Sequence, residues 1–403
     1  MRKIDRYLGV PLCFLAGLLV RLGRLFGQGK PADSPPRRIL FIELAEIGGL
    51  VVAYPSLAHA QKLFPEAEVY FLTFAGGKGI LDLMGVVPRE RQIIIRPGGL
   101  VTFVADTIKA VFTMRRLGID AVVNLEAFAR FSTLLSFCSG ARRRVGFNPF
   151  YDEGHYLGPL NTHGVIYNPH VHAAATFVTL VEALLDQAGP EPKAKKDLSQ
   201  VSLAVPKTIS TPPQVQNMEA KLRELYPGLN KEHRLIILNS NASDLIVLRR
   251  WPTEYFVQLG QGLLADPKVL LVLTGAPEER AKAEELAGRL TSPRVLNMAG
   301  RTTLPELIDL YNRCHLLITN DSGPAHFASL TKMPVMVMFG PETPGIYGPL
   351  GDNIELVYLG LACSPCVSAY NQKRSPCTDS QCLKRITPEM ILAMARTKLG
   401  LSS

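Results

Sequence analysis

Short runs of Ile, Leu, Val and Phe recur along this chain, each followed by a longer stretch in which apolar residues return at helical spacing. Runs at 39–42, 69–74, 93–95 and 121–125 alternate with such stretches in the first half, and a helical pattern at 50–64 follows a Gly48-Gly49 turn. A second set, at 235–238, 269–274, 316–319 and 335–339, restarts the alternation in the second half. Continuous apolar strands separated by helices are the pattern of a parallel sheet covered on both faces. The chain therefore predicts an α/β protein of two facing Rossmann-like domains, each doubly wound. Ligands of such sheets bind outside the carboxyl ends of the strands.

The punctuation divides the chain further. Residues 27–37 (GQGKPADSPPR) read as a linker, because Pro35 and Pro36 bar a helix there. Residues 38–190 form the first domain, 191–216 a second linker rich in Pro, Lys, Ser and Thr, and 217–385 the second domain with a cysteine-bearing tail. A closing helix at 386–403 is expected to cross back to the first domain. At 403 residues the chain has the length for two cores of ordinary size. No internal repeat at solenoid or propeller periods is present.

Charge changes the picture at the amino terminus. Six of the nine net positive charges fall in residues 1–38, where eight basic side chains face Asp5 and Asp33. They flank residues 7–20, which hold no charge at all. Fourteen apolar residues are too few to span a bilayer, which needs about 20. Pro11 early in the run, Arg21 and Arg24 after it, and the lack of a clear small-x-small cleavage site separate it from a signal peptide. Residues 1–26 thus read as an amphipathic, membrane-associating segment with arginines reaching the headgroups. A nucleic-acid binder would instead spread basic residues over a folded face, so no nucleic-acid partner is expected. The odd count of seven cysteines argues against a secreted disulfide framework and for a cytoplasmic protein.

Candidate chemistry gathers at the ends of the second set of strands. Asn320-Asp321-Ser322-Gly323-Pro324-Ala325-His326 follows the strand at 316–319 and delivers a capping residue and a helix start, an anion site suited to a pyrophosphate. Ser322 adds a hydroxyl, His326 a ring N–H, and Asp321 an acceptor for sugar hydroxyls; a plain N-cap is the competing reading. Asn239 to Ser243 leave another strand as a polar loop, and Arg249-Arg250 before Trp251-Pro252 can neutralise a diphosphate through forked hydrogen bonds. Gly275 ends a third strand, where a missing side chain permits close backbone approach. Arg142 to Arg144 and Asp152 to His155 supply charge in the first domain, with Arg144 and Asp152 the candidates for docking an acidic acceptor and a solvated loop the rival. His163, His170, His172 and Asn161 show no ligand spacing and are taken as core or surface residues. Cys363, Cys366, Cys377 and Cys382, spaced C-x2-C-x10-C-x4-C, match a structural zinc site, with disulfides or reduced packing residues as alternatives. No Gly-x-Gly-x-x-Gly follows the first strand, which excludes an ordinary dinucleotide-dependent dehydrogenase.

Over residues 38–400 these elements resemble glycosyltransferase family 9, the ADP-heptose:lipopolysaccharide heptosyltransferases. The resemblance rests on the stretch from Ile39 to Pro55, on Arg250-Trp251-Pro252, and on Asn320 to His326; the tail cysteines also occur in members of the family. It implies the two-Rossmann GT-B architecture and an inverting, metal-independent transfer that needs no cofactor. Heptose would move from ADP-heptose, the donor partner, to a lipopolysaccharide-core glycolipid at the cytoplasmic face of the inner membrane. By the same resemblance Asn241, Ser243, Arg249, Asp321, Ser322, Gly323 and His326 bind the donor, Arg249 standing where the family has a Lys; Gly275 joins the donor site from its place at a strand end. One departure matters. The family pattern Lys-x-x-x-x-Gly-Asp ends in the proposed base, and here Glu43 takes the Lys position and Gly49 the Asp position. Glu46 is the nearest substitute base, Glu43 the second. Two other functions stay open: a non-catalytic nucleotide-sugar-binding scaffold in envelope assembly, which the loss at Gly49 permits, and a nucleotide-sugar epimerase.

Overall fold

The computed structural model describes residues 7–25, 34–44, 46–150, 155–371 and 373–401. They fall into two units, Met1–Leu203 with Ala369–Gln372, and Ala204–Ser368 with Lys373–Ser403.

The first unit runs α1 (Gly9–Leu25), β1 (Arg38–Ile42), α2 (Ile47–Leu63), β2 (Glu68–Phe74), α3 (Lys78–Met84), β3 (Gln92–Ile95), α4 (Leu100–Leu117), β4 (Ala121–Asn124), α5 (Arg130–Cys138), β5 (Arg143–Phe147), β6 (His163–Val165) and α6 (Ala173–Glu182). Its six strands pair in parallel in the order β3-β2-β1-β4-β5-β6. Alternate residues of each strand point to opposite faces. Leu40 and Ile42 of β1 therefore join Leu72, Ile95 and Val122 beneath Ala110 and Met114 of α4 and Leu135 of α5. Gly48 and Gly49 lie inside the first turn of α2 rather than in a turn before it. The basic run at 142–144 also belongs to regular structure: Arg143 and Arg144 begin β5.

Helix α1 touches the unit along a narrow seam, where buried Cys13 and Ala16 meet Leu160, Leu134 and Phe137. Glycines let it approach: a Cβ on Gly17 would stand 2.9 Å from Cδ of Pro159, and one on Gly9 2.8 Å from Cδ of Arg130. Away from this seam Val10, Leu12, Phe14, Leu15, Leu19 and Leu22 of the helix are exposed. Among the described residues no helix is long and apolar enough to cross a membrane.

The second unit runs α7 (Pro212–Leu225), β7 (Arg234–Asn239), α8 (Thr253–Leu264), β8 (Val269–Leu273), α9 (Arg280–Leu290), β9 (Val295–Asn297), α10 (Leu304–Arg313), β10 (Leu316–Asn320), α11 (Gly323–Ala328), β11 (Val335–Met338), α12 (Pro344–Tyr347), β12 (Ile354–Val357), α13 (Gln381–Lys384) and α14 (Pro388–Leu399). Its sheet is again parallel throughout, ordered β12-β11-β10-β7-β8-β9. Helix α14 packs on α8, where Gly262 leaves room for Leu392; the closing helix completes the core of the second unit rather than crossing to the first. Apolar Ile391, Ala395 and Leu399 face that core with Leu259, Leu263 and Trp251, and burying them favours the nearer surface.

Trp251, the lone tryptophan, is fully buried and ties the carboxyl-terminal segment down by donating its indole N–H to the Ile386 carbonyl at 2.8 Å. Trp251→Phe fills much of the same volume but leaves that carbonyl without its donor. We expect a loss of about 1–3 kcal/mol, read as a lower midpoint in urea unfolding followed by far-UV circular dichroism.

Candidate functional site

In the second sheet the chain builds β7, β8 and β9 outward in one direction and β10, β11 and β12 in the other. The reversal falls between β7 and β10, and the carboxyl ends of strands at such a reversal are the ordinary ligand site of an open α/β sheet. The loops after β7, β8, β10 and β11 all end there.

Asn320, fully buried at the end of β10, organises this edge. Its carbonyl oxygen accepts the Trp251 N–H at 2.9 Å, and its amide donates to the carbonyls of Ser240 at 2.9 Å and Asn241 at 3.4 Å. One side chain thus fixes the loop after β7 and the Arg-Arg-Trp-Pro segment. Asn239 and Asn241 extend the clamp to the end of β8, each donating its side-chain amide to the Thr274 carbonyl. Gly275 has no room for a side chain: a Cβ there would lie 2.8 Å from Nδ2 of Asn241 and 3.0 Å from Oε2 of Glu279. This glycine serves the packing of two polar loops.

Asp321 is the next residue, and it is buried. Nη1 of Arg249 lies 3.5 Å from its Oδ2 and 3.0 Å from Oε2 of Glu342, which is 1% exposed. Lys373 stands 3.7 Å from the other Glu342 oxygen, its Nζ lying 4.9 Å from the centre of the Tyr347 ring. Burial and the adjacent Glu342 carboxylate push Asp321 up to about 8, against the downward pull of Arg249. Two cations and two carboxyls, one of them held toward its neutral form, thus meet at the carboxyl ends of the strands. A guanidinium and an ammonium there suit an anionic ligand.

The remaining expected donor residues divide. Ser322 occupies the cap position of α11 but its hydroxyl turns back to the Asn320 carbonyl at 3.2 Å and makes no side-chain cap. Gly323 opens a helix of only six residues, and His326 is buried on it. Ser243 is exposed in the loop after β7. The Arg250 guanidinium donates to the Ala242 carbonyl at 2.8 and 3.2 Å, bracing the loop, while Arg249 reaches the carboxylates. Glu342 and Lys373 are absent from the sequence reading. Glu342 follows β11 in Phe339-Gly340-Pro341-Glu342, a strand end with the same glycine and proline punctuation that marked Asn320 to Pro324.

The first unit repeats the reversal between β1 and β4. Glu43, buried, follows β1, and Glu46, exposed, stands at the amino terminus of α2. Both border Gly49: a Cβ there would lie 3.5 Å from Oε1 of Glu43 and 3.3 Å from Cβ of Glu46. The Glu43 carboxylate sits where a side chain at 49 would start. Arg144 donates to the carbonyls of Leu160 at 2.7 Å and Ala141 at 2.6 Å. Asp152 lies outside the described residues. His163 bridges Thr162 and the Asp186 carbonyl, held below its usual range by burial, and His172 accepts from the Ala174 N–H at the start of α6.

Cys382 is buried, Cys366 half-buried, and Cys363 and Cys377 exposed, all as free thiols. Burial, and then the nearby Cys366, Cys377 and Cys363, push the Cys382 thiol up. Yet among the described residues no group of three or more His, Cys, Asp or Glu side chains is gathered to hold a metal ion. Cys366 Sγ accepts from the Ser375 hydroxyl and Cys377 Sγ from the Ser380 N–H.

A group whose folded pKa is raised stabilises the fold most below its unfolded value, here 3.8, and that contribution fades as pH rises through about 8. The unfolding temperature should therefore fall between those limits for the native chain. Asp321→Asn should flatten the fall, which differential scanning calorimetry across that pH range checks.

The sequence profile of "Glycosyltransferase family 9 (heptosyltransferase)" matches residues 111–375. Lipooligosaccharide heptosyltransferase 2 of Campylobacter jejuni subsp. jejuni serotype O:2 is 30% identical over 174 residues, 42% of this chain and 53% of that protein. The lipopolysaccharide core heptosyltransferase OpsX of Haemophilus influenzae is 22% identical over 333 residues, 80% of this chain and 85% of its own length. The chain spans about half the length of the first of these relatives. Among solved structures, that of the E. coli ADP-heptose lps heptosyltransferase II superposes with a TM-score of 0.69 at 20% identity, covering 90% of this chain and 98% of the other. The two six-stranded α/β units share the GT-B fold of that enzyme.

Proposed function

The chain belongs to glycosyltransferase family 9, the heptosyltransferase family, and on that premise we propose that it moves heptose from ADP-heptose to a lipopolysaccharide-core glycolipid, with inversion and without a metal. The observation that carries this reading is the cluster of Arg249, Lys373, Asp321 and Glu342 at the strand reversal of the second unit. A departing nucleoside diphosphate develops negative charge, and a fixed guanidinium aimed at it lowers the barrier without reorganising. Arg249 supplies that donor. Asp321 and Glu342 offer carboxyl oxygens to sugar hydroxyls, and Asn241, Ser243, Gly275, Ser322, Gly323 and His326 line the same strand edge.

The acceptor hydroxyl needs a base, and we assign it to the carboxylates that border Gly49, with Glu46 first and Glu43 second. Glu46 is exposed at a helix amino terminus, reachable by a glycolipid hydroxyl. Glu43 is buried but occupies the space beside Gly49. The glycine itself favours a second reading, a scaffold that binds the sugar nucleotide and transfers nothing. Helix α1 suits either reading, because its exposed apolar surface and Arg21 fit the anionic cytoplasmic face of an inner membrane, where the acceptor is made.

Incubating the full chain with ADP-heptose and a lipid extract containing truncated core glycolipid should release ADP only when the acceptor is present. Asp321→Ala should weaken donor binding, and Glu46→Gln should lower kcat by about 100-fold or more while leaving donor binding intact. Full turnover in Glu46→Gln transfers the assignment to Glu43. Saturable ADP-heptose binding with no release in the native chain favours the scaffold.

A further inference from the structure

Helix α4 shows a second apolar face that the core does not use. Ala110 and Met114 point inward, while Val101, Val104, Ala105, Ile108 and Phe112 form an outward stripe at helical spacing. Val101 is 83% exposed and Phe112 68%, values unusual for large apolar side chains standing in a row. Every charged residue on that face is basic: Lys109 and Arg116 are exposed beside the stripe, and Arg115, also exposed, donates to the Cys138 carbonyl of α5. The one acidic residue of the helix, Asp106, turns away into a forked pair with Arg96. A helix with an apolar stripe, a basic border and no acidic residue facing outward is built for the interface of an anionic bilayer.

Its position strengthens this. Helix α5 lies between α4 and α1: Phe131 of α5 packs on Phe103 of α4 at 5.2 Å, and Leu134 and Phe137 of α5 receive α1. Two helices with unpaired apolar surface thus border one common neighbour within a single unit.

We propose that α4 is a second lipid contact, which inserts Val101, Ile108 and Phe112 into the headgroup boundary and sets Lys109 and Arg116 against anionic headgroups. It rests on the membrane attachment proposed for α1 and adds a second point to it. Two contacts fix the orientation of a unit on a surface, where one helix leaves it free to swivel.

The test uses the full chain and flotation with two kinds of vesicle, phosphatidylethanolamine with phosphatidylglycerol, and phosphatidylcholine alone. Replacing Val101, Ile108 and Phe112 by Ser should lower the partition onto anionic vesicles about tenfold, with unfolding temperature and ADP-heptose binding unchanged. Lys109→Ala with Arg116→Ala should weaken binding to anionic vesicles only, and more in low salt. Should the triple variant fold poorly, Phe112→Trp replaces it: brominated lipid should quench the new indole, while buried Trp251 keeps its emission. Native-like flotation of the triple variant, or an unquenched Trp at 112, overturns the proposal. Loss of flotation in Leu15→Ser with Leu19→Ser, together with either of those results, leaves α1 as the sole anchor. Unchanged flotation in that α1 variant instead removes the α1 reading, whatever α4 does. A triple variant that floats normally but changes from dimer to monomer by light scattering makes the stripe a self-association face, which also overturns the proposal.

Discussion

A guanidinium held between two buried carboxylates governs the second unit. Arg249 comes from the segment after β7, Asp321 from the end of β10 and Glu342 from the loop after β11, so their attraction draws together three pieces of chain far apart in sequence. Burying an ion pair is stabilising only where geometry and further hydrogen bonds offset the lost hydration. Here burial and the neighbouring Glu342 push Asp321 up to about 8, so the pair is held with one carboxyl toward its neutral form. An anion that reached Arg249 and Lys373 would meet less opposing charge than two carboxylates suggest.

The scaffold beneath it is rigid for ordinary reasons. Parallel strands must be buried on both faces, so β7, β8, β10 and β11 consist almost wholly of Ile, Leu, Val and Met. Asn239, Thr274 and Asn320 stand at the strand ends and bond to one another's loops. The first sheet has the same order of strands, with Asn124 ending β4 and the Glu43 carboxylate just after β1.

What was legible in the sequence follows from this contrast. The central strands of both sheets are unbroken apolar runs, and such runs announce themselves. Strands β5, β6, β9 and β12 lie at or toward the sheet edges, are three to five residues long, and carry Arg143, His163, Asn297 and Glu355. Their pairing comes from the neighbouring strand and not from their own composition, so no periodicity exposes them. The loop after β10 was readable because Asn, Asp, Ser, Gly and Pro stand together in it. Glu342 was not, since a single carboxylate among Pro, Thr and Gly looks like any turn, and its meaning depends on Arg249 lying 93 positions away. Arg144 and Arg250 show the reverse: guanidiniums whose sequence setting suggests ligand contact also brace backbone carbonyls.

The seam of α1 has an evolutionary reading. Gly9, Cys13 and Gly17, spaced four apart, hold the helix by backbone fit, with Ala16 beside them. Of the other side chains Val20 also packs there, while the larger ones point away. Selection can then exchange Leu for Phe, Ile or Met at those outward positions without disturbing the unit beneath, provided the three small positions stay small. The outer face of the helix is thus free to vary while the seam that holds it is inherited intact.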